Sequence, residues 1–152
     1  KKVILPCFVT NRFFYRAVGR FYQWHERRFW TDRMWRCYVE RQEFETWIAF
    51  KHGLPCGYFT LEEQQEMNIE IKNLGLLPGY VGRGLGGNLI AGALTIAWKK
   101  NPKRVWLHTC SLDHPSALPA YISGGFRVFK VEKKQQNISF CDTLDFGPWP
   151  KG

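Results

Sequence analysis

The sequence predicts an α/β domain, α+β in its order of elements, with a mixed but mostly antiparallel central sheet of about six to seven strands flanked by about four helices. Three observations carry that expectation. Segments rich in β-formers run from Glu45 to Leu77, broken only by short turns, as in a meander of antiparallel strands. Four glycines, Gly82, Gly84, Gly86 and Gly87, then join the last strand to LIAGALTIAW, which has the length and apolar spacing of a buried helix face. Beyond that helix RVWLHTC adds another strand, so a strand–loop–helix unit sits beside the meander.

Taken in order, KKVILPCFV is rich in β-formers and reads as a first strand over about Lys2 to Phe8. Thr10 or Asn11 can cap a helix through FFYRAVGRFYQWHERR, where Phe14, Val18, Phe21, Trp24 and His25 recur at helical spacing. A second helix follows Thr31, whose hydroxyl can cap DRMWRCYVERQ; Met34, Trp35, Tyr38 and Val39 make its apolar stripe. TWIAFKHGLPCGYFTLEEQ reads as a hairpin, with strands over about Glu45–Lys51 and Pro55–Glu63 and a turn at His52-Gly53.

Gln64 to Met67 turns the chain into the central strand, where Ile69, Ile71 and Leu74 lead to Leu76 and Leu77. Pro78-Gly79 stops it, because proline lacks a backbone donor and glycine permits positive φ. The next helix runs from about Gly84 to Lys100, with the cations of KKNPK at its C-terminus and Pro102 against continuation. After RVWLHTC, Pro115 suits the first turn of a short helix capped by Asp113, and Gly124-Gly125 ends it. FRVFKVEK reads as a sixth strand, and Asn137–Asp142 as a last one before the turn-rich tail LDFGPWPKG.

Composition bounds the function. A length of 152 residues suits one domain over 1–152 with a proper core. Hydrophobic residues at 45% and aromatics at 16% mark a globular chain with bulky packing rather than a disordered one. No apolar run approaches the roughly 18 residues of a membrane span. The basic start KKVILPCFVT lacks a signal-peptide core, and no membrane partner is expected. Five cysteines, an odd number with no CxxC or CxxH pairing, read as reduced packing thiols and point to a cytoplasmic address, with neither zinc nor disulfides expected. The net charge of +9 is spread along the chain without a helix-turn-helix, zinc-finger or RNP-like motif, which argues against nucleic acid and for a solvated basic surface.

A strand, a glycine-rich turn and a helix start together form a place to hold an anion. Backbone N–H groups can approach phosphate oxygens there, and the helix N-terminus adds unpaired donors and a partial positive charge. A P-loop would need Lys and Ser/Thr where Gly87 and Asn88 stand, and the spacing of Gly82, Gly84 and Gly86 misses the dinucleotide fingerprint, whose acidic residue is also absent before Asp113.

LLPGYVGRGLGGNLI instead resembles the acyl-coenzyme A loop of the GCN5-related N-acetyltransferases (the GNAT superfamily), written [Q/R]-x-x-G-x-[G/A]. Gly84 and Gly86 match its glycines, Arg83 lies inside it, and Val81 stands where the family usually has Gln or Arg. A second stretch supports the resemblance: Ala117, Tyr121, Gly125 and Phe126 fit the family's A-x-x-x-Y-x-x-x-G-F, with Asp113-His114 in place of the usual Asn. The likeness covers nearly the whole chain and is weakest over the first 45 residues.

The resemblance implies acetyl-coenzyme A as acyl donor, no metal, and a small-molecule or peptide amine as acceptor; a homodimer is left open. By the same resemblance Gly82, Arg83, Gly84, Leu85, Gly86, Gly87 and Asn88 would cradle the pyrophosphate. Backbone groups of Leu74, Leu76 and Leu77 would pair with the pantetheine arm, where the central strand splays from the fifth. Asp113 and Tyr121 would lie with the cofactor-contacting residues, and the two N-terminal helices would form the acceptor wall with Trp24, His25, Trp30 and Trp35.

Acyl transfer from a thioester to an amine needs a group that removes a proton from the amine and one that protonates the leaving thiolate. Glu70 is the candidate base, the sole carboxylate in an apolar strand, where partial burial would raise its pKa toward the working pH. Its place before the phosphate turn also resembles that of the family's basic glutamate. Tyr121 is the candidate acid. His108 and Cys110 share a face near the end of the fifth strand with His114 close by, which would suit a covalent route, but no orienting third group is evident in sequence. The expected function is therefore acetyl-coenzyme A-dependent N-acetyl transfer by direct attack in a ternary complex. A non-catalytic acyl-coenzyme A-binding module or a basic nucleic-acid-associated adaptor is the alternative.

Overall fold

Two antiparallel strands, β1 (Phe44–Lys51) and β2 (Leu54–Gln64), start the sheet of the computed structural model, which describes residues 1–22 and 24–134. Their turn is made by His52 (φ 51°) and Gly53 (φ 80°), the pair of positive φ values that lets a two-residue turn follow the strands' right-handed twist. A 3₁₀ turn, Gln65–Met67, leads into β3 (Asn68–Leu76), antiparallel to β2. These three strands match the sequence reading within about a residue at each end, because each has β-branched or aromatic residues bounded by strong turn formers.

The register of β3 contains one irregularity that decides which side chains face which layer. Thr60 pairs with Asn73 and Leu61 with Ile71, so Lys72 is an extra residue in β3. Before the bulge Ile69 and Ile71 face α3 (Gly86–Trp98), and Glu70 faces away. Strict alternation would then put Leu74 and Leu76 on the Glu70 side. The bulge resets it, so both pack into the core under α3, while Asn73 and Gly75 join Glu70 on the other face.

The core under α3 joins Leu89, Ala93 and Ala97 of the helix to Phe59, Leu61, Ile69 and Ile71 of the sheet. Ala93 and Ala97 are fully buried, and their small side chains let the helix lie close on the strands. The opposite layer holds α1 (Phe8–Gly19) and α2 (Asp32–Val39). Phe14 and Val18 of α1 pack on Tyr58, while Tyr15, Trp35, Val39 and Phe44 form a second cluster where α1, α2 and β1 meet. Thr31 caps α2 as its position predicts, its Oγ1 accepting from the Met34 N–H at 3.3 Å.

Several expectations are corrected. The first strand over Lys2 to Phe8 reduces to one bridge between Lys2 and Trp47, and α1 already begins at Phe8 after an N-cap at Cys7. The first helix stops at Gly19 rather than running to Arg28, because the chain folds back and lays Trp24 on Gly19, with the Trp24 N–H donating to the Gly19 carbonyl at 3.4 Å. A Cβ at Gly19 would lie 2.5 Å from that of Trp24, so the reversal needs glycine. The fifth strand is only β4 (Arg104–Trp106), parallel to β3 opposite Asn68–Glu70. The short helix α4 is Ala117–Ser123 with Ser116 as N-cap, so Pro115 precedes it and Asp113 does not cap it. Residues 126–133 form no strand; their apolar side chains Val128, Phe129 and Val131 are exposed. The described residues thus hold one four-stranded sheet, in the order β1-β2-β3-β4, and not six or seven strands; the strand expected over Asn137–Asp142 lies outside them.

The close packing of β3 on α1 gives a direct test. A Cβ on Gly75 would come within 2.2 Å of the Val18 Cγ1 atom. Gly75→Ala should therefore destabilise the protein by about 1–3 kcal/mol through overpacking. Adding Val18→Ala should recover part of that loss, so that the two changes in a denaturant double-mutant cycle are non-additive. Additive losses would place the strain elsewhere.

Candidate active site

The parting of β3 from β4 creates the site. Their pairing ends at Glu70 opposite Trp106, so β3 from Lys72 to Leu76 has no β4 partner on that edge among the described residues. The chain then turns through a 3₁₀ segment, Pro78–Tyr80, into the glycine run. Gly82 and Gly84 have φ of 75° and 72°, a conformation that favours glycine. Among the described residues no backbone N–H from Gly82 to Asn88 donates to another backbone group, and the first turn of α3 carries no acidic residue. Arg83 is exposed beside this row of amides. An anion would find unpaired donors and the positive end of a helix dipole there.

At Gly79, Gly82, Gly84, Gly86 and Gly87 an added Cβ would have nothing within 4 Å. Gly86 and Gly87 also lie in the helix, so neither packing nor backbone conformation calls for glycine at these two. The space is open to a ligand, and the residues fit a pyrophosphate. Asn88 and Leu85 flank this opening, Leu85 as the N-cap of α3.

Glu70 lies just before the parting, on the face away from α3, and is 2% exposed. Its Oε2 accepts from Gln64 Nε2 at 2.7 Å and from Lys72 Nζ at 3.1 Å, and its Oε1 from His108 Nδ1 at 2.8 Å. Gln64 is itself fixed, because Trp106 Nε1 donates to its Oε1 at 2.9 Å. Glu62 continues the strip, held by Arg41 at 2.6 Å. Burial pushes the Glu70 carboxyl up, but the hydrogen bond from His108 and the Lys72 charge outweigh it and hold the pKa below its ordinary value. The sequence expectation of a raised pKa is thereby corrected: the neighbouring strands supply donors that the flanking isoleucines could not reveal.

Tyr121 of α4 is buried, with its ring edge-on to Phe126 at 6.0 Å. Burial, and then the negative charge of Asp113, push its hydroxyl well above its ordinary pKa, so it stays protonated. Asp113 ties its own turn together, accepting from Thr109 Oγ1 and from the His114 N–H at 2.9 Å each. His114 in turn meets the Tyr22 ring edge-on at 5.3 Å, which brings the turn before α4 against the turn after α1.

The N-terminal aromatics divide. Trp24, His25 and Trp30 are half-buried and belong to the segment between α1 and α2. Trp35 is corrected from wall to core: it is 2% exposed and packed among Tyr15, Trp30 and Val39. Helical spacing gives a stripe but cannot say how deep it lies. Sequence reasoning also missed Arg27. Its buried guanidinium donates to Asn73 Oδ1 at 3.1 Å and Tyr38 Oη at 2.9 Å, and lies 4.5 Å from the Tyr38 ring centroid. It ties the segment between the helices to β3. Burial pushes the Tyr38 hydroxyl up to about 12, with the Arg27 charge opposing.

A family model described as Acetyltransferase (GNAT) family matches residues 10–126. No curated protein matches the sequence. Among solved structures, an aminoglycoside acetyltransferase, meta-AAC0020 from an uncultured soil metagenomic sample, in complex with sisomicin, is 15% identical, with a TM-score of 0.68 and 91% of this chain and 96% of that chain covered. An IAA acetyltransferase from Bacillus cereus ATCC 14579 is 20% identical, with a TM-score of 0.64 and 86% and 77% covered. The aminoglycoside N-acetyltransferase AAC(6')-Iy, in complex with CoA, is 14% identical, with a TM-score of 0.53 and 68% and 84% covered. At these identities the likeness is one of fold. Among the described residues no helix is long and apolar enough to cross a membrane.

The depressed pKa of Glu70, shared by Glu62, fixes the sign of an acid response. Their stabilisation is complete above the ordinary carboxyl value of 4.5 and is lost as pH falls through the lower folded-state values. The urea midpoint should fall across that acidic window, and less steeply in Glu62→Gln. An equal slope in the variant would remove Glu62 from the acid response.

Proposed function

The chain belongs to the acetyltransferase (GNAT) family, and from that premise we propose that it transfers an acetyl group from acetyl-coenzyme A to an amine, by direct attack within a ternary complex. The observation that carries the donor side is the glycine pair Gly86-Gly87. Glycine in a helix is less favourable than alanine by about 1 kcal/mol. A fold that gains nothing from glycine at two consecutive helical positions has room there for an outside group. Bound acetyl-coenzyme A supplies the thioester carbonyl that the amine attacks.

The chain's own residues divide the remaining work. Amides of Gly82 to Asn88 bind the pyrophosphate, with Arg83 nearby for added charge. The edge of β3 released by β4, at Leu74 and Leu76, pairs with the pantetheine arm as an added strand would; Leu77, expected with them, follows β3 with its N–H already donated to the Cys56 carbonyl and its own carbonyl accepting from Tyr80. Tyr121, kept protonated by burial, serves as proton donor to the leaving sulfur, with Asp113 in the adjoining turn. The Glu70 carboxylate is the anionic end of the site toward which the amine's proton moves. Trp24, His25 and Trp30 form the acceptor wall, and the acceptor is a small molecule or peptide bearing a free amine.

Release of free thiol from acetyl-coenzyme A over a panel of amines, aminoglycosides included, tests the activity; no release with any amine would leave a binding module. The donor site has a sharper test, because stability and binding should move in opposite directions. Gly87→Ala should raise stability by up to about 1 kcal/mol and weaken coenzyme A binding in calorimetry. Gly86→Asp should abolish that binding by placing bulk and negative charge against the phosphates. Unchanged affinity in both variants would move the phosphates away from this loop.

A further inference from the structure

We infer that His108 is the base of the transfer and that Glu70 is its positioning residue, with Nε2 of the His108 ring taking the proton from the acceptor amine. This deepens the acetyl-transfer reading and rests on it. Accessibility separates the two groups. Glu70 is 2% exposed, and both its oxygens are occupied by donors from neighbouring strands, so an incoming amine has no path to them. The His108 side chain is 61% exposed, two residues past the last paired residue of β4, at the point where β3 and β4 part. The two residues are 38 apart in sequence and meet at 2.8 Å.

The hydrogen bond also fixes which nitrogen is available. An ionised carboxylate can only accept, so Nδ1 of His108 carries the hydrogen and Nε2 presents its lone pair. Glu70 cannot swing to another partner, because Gln64 and Lys72 hold its second oxygen and Trp106 holds Gln64. A fixed carboxylate behind an imidazole orients the ring and stabilises the imidazolium formed on proton uptake. In the transfer, the C–N bond forms as the thioester C–S bond breaks. The amine N–H proton goes to His108 Nε2, the sulfur takes the Tyr121 hydroxyl proton, and His108 and Tyr121 exchange protons with water to return to their starting states. Among the described residues, the charged and titratable groups on this face include Glu70 and Lys72 of β3, Glu62 of β2 at 3.8 Å from the Lys72 nitrogen with Arg41 upon it, and Arg27 with Tyr38 at Asn73.

The test combines a readout on the ligand-free protein with kinetics. In ¹⁵N NMR of histidine-labelled protein, neutral His108 should carry its hydrogen on Nδ1, and Glu70→Gln should redistribute it between the two nitrogens. In His108→Gln, kcat should fall by about 10²–10⁴-fold, the usual worth of a general base, while calorimetric coenzyme A affinity is unchanged. The acidic limb of kcat/KM in the unmodified protein should follow the NMR titration of His108. It should vanish in His108→Gln. His108 carrying its hydrogen on Nε2, or a rate and acidic limb that survive in His108→Gln while the unmodified protein turns over, overturns the role of His108 and leaves acetyl transfer standing. No turnover of any amine by the unmodified protein overturns acetyl transfer and this inference with it.

Discussion

A carboxylate buried in a sheet is the constraint on which the site depends. Removing an ion from water costs several kcal/mol unless partners replace the lost hydration. Around Glu70 those partners come from three directions: Gln64 at the end of β2, Lys72 within β3, and His108 beyond β4. Gln64 and His108 reach it because β2 and β4 end where they do, and Lys72 reaches it from the bulge within β3. The bulge at Lys72, the short β4 and the tight Gln65–Met67 turn thus converge on one carboxyl group. The same requirement holds the strands together at the point where β3 and β4 must separate, so the opening has a rigid lower edge.

Glycine is used in two physically different ways. At Gly19, Gly57, Gly75 and Gly124 a Cβ would lie 2.2–2.8 Å from another atom, and the residue is small because the fold is crowded. At Gly79, Gly86 and Gly87 nothing is near and no positive φ is needed. Gly82 and Gly84 stand between, uncrowded but in a left-handed conformation. The first class closes the protein on itself. The second leaves a surface of bare backbone at a helix start, where amides can meet phosphate oxygens directly.

The N-terminal layer is similarly divided between packing and reach. Trp35 and Tyr15 are core, and α2 is anchored through them. Arg27 spans the layer, with aromatic rings around its guanidinium and Asn73 of β3 at its end. Its buried charge has polar partners and π faces in place of a carboxylate, which keeps a fixed positive charge on the face that also carries Glu70.

Much of this was legible in the sequence. The hairpin at His52-Gly53, the cap at Thr31, the central strand and the glycine loop are local features, each set by turn chemistry and apolar period over a few residues. Glu70 stood out as a carboxylate in an apolar strand, and the loop resembled the acyl-coenzyme A loop of its family. What the sequence could not decide depends on contacts between distant segments. The end of α1 at Gly19 follows from Trp24 folding back on it, and the burial of Trp35 from the layer it packs into. The facing of Leu74 and Leu76 turns on one inserted residue whose partner lies on another strand. The lowered pKa of Glu70 and the orientation of His108 require β4 to return beside β3 after a helix. Periodicity reports what one segment prefers; burial, register and proton affinity are set by what the rest of the chain brings against it.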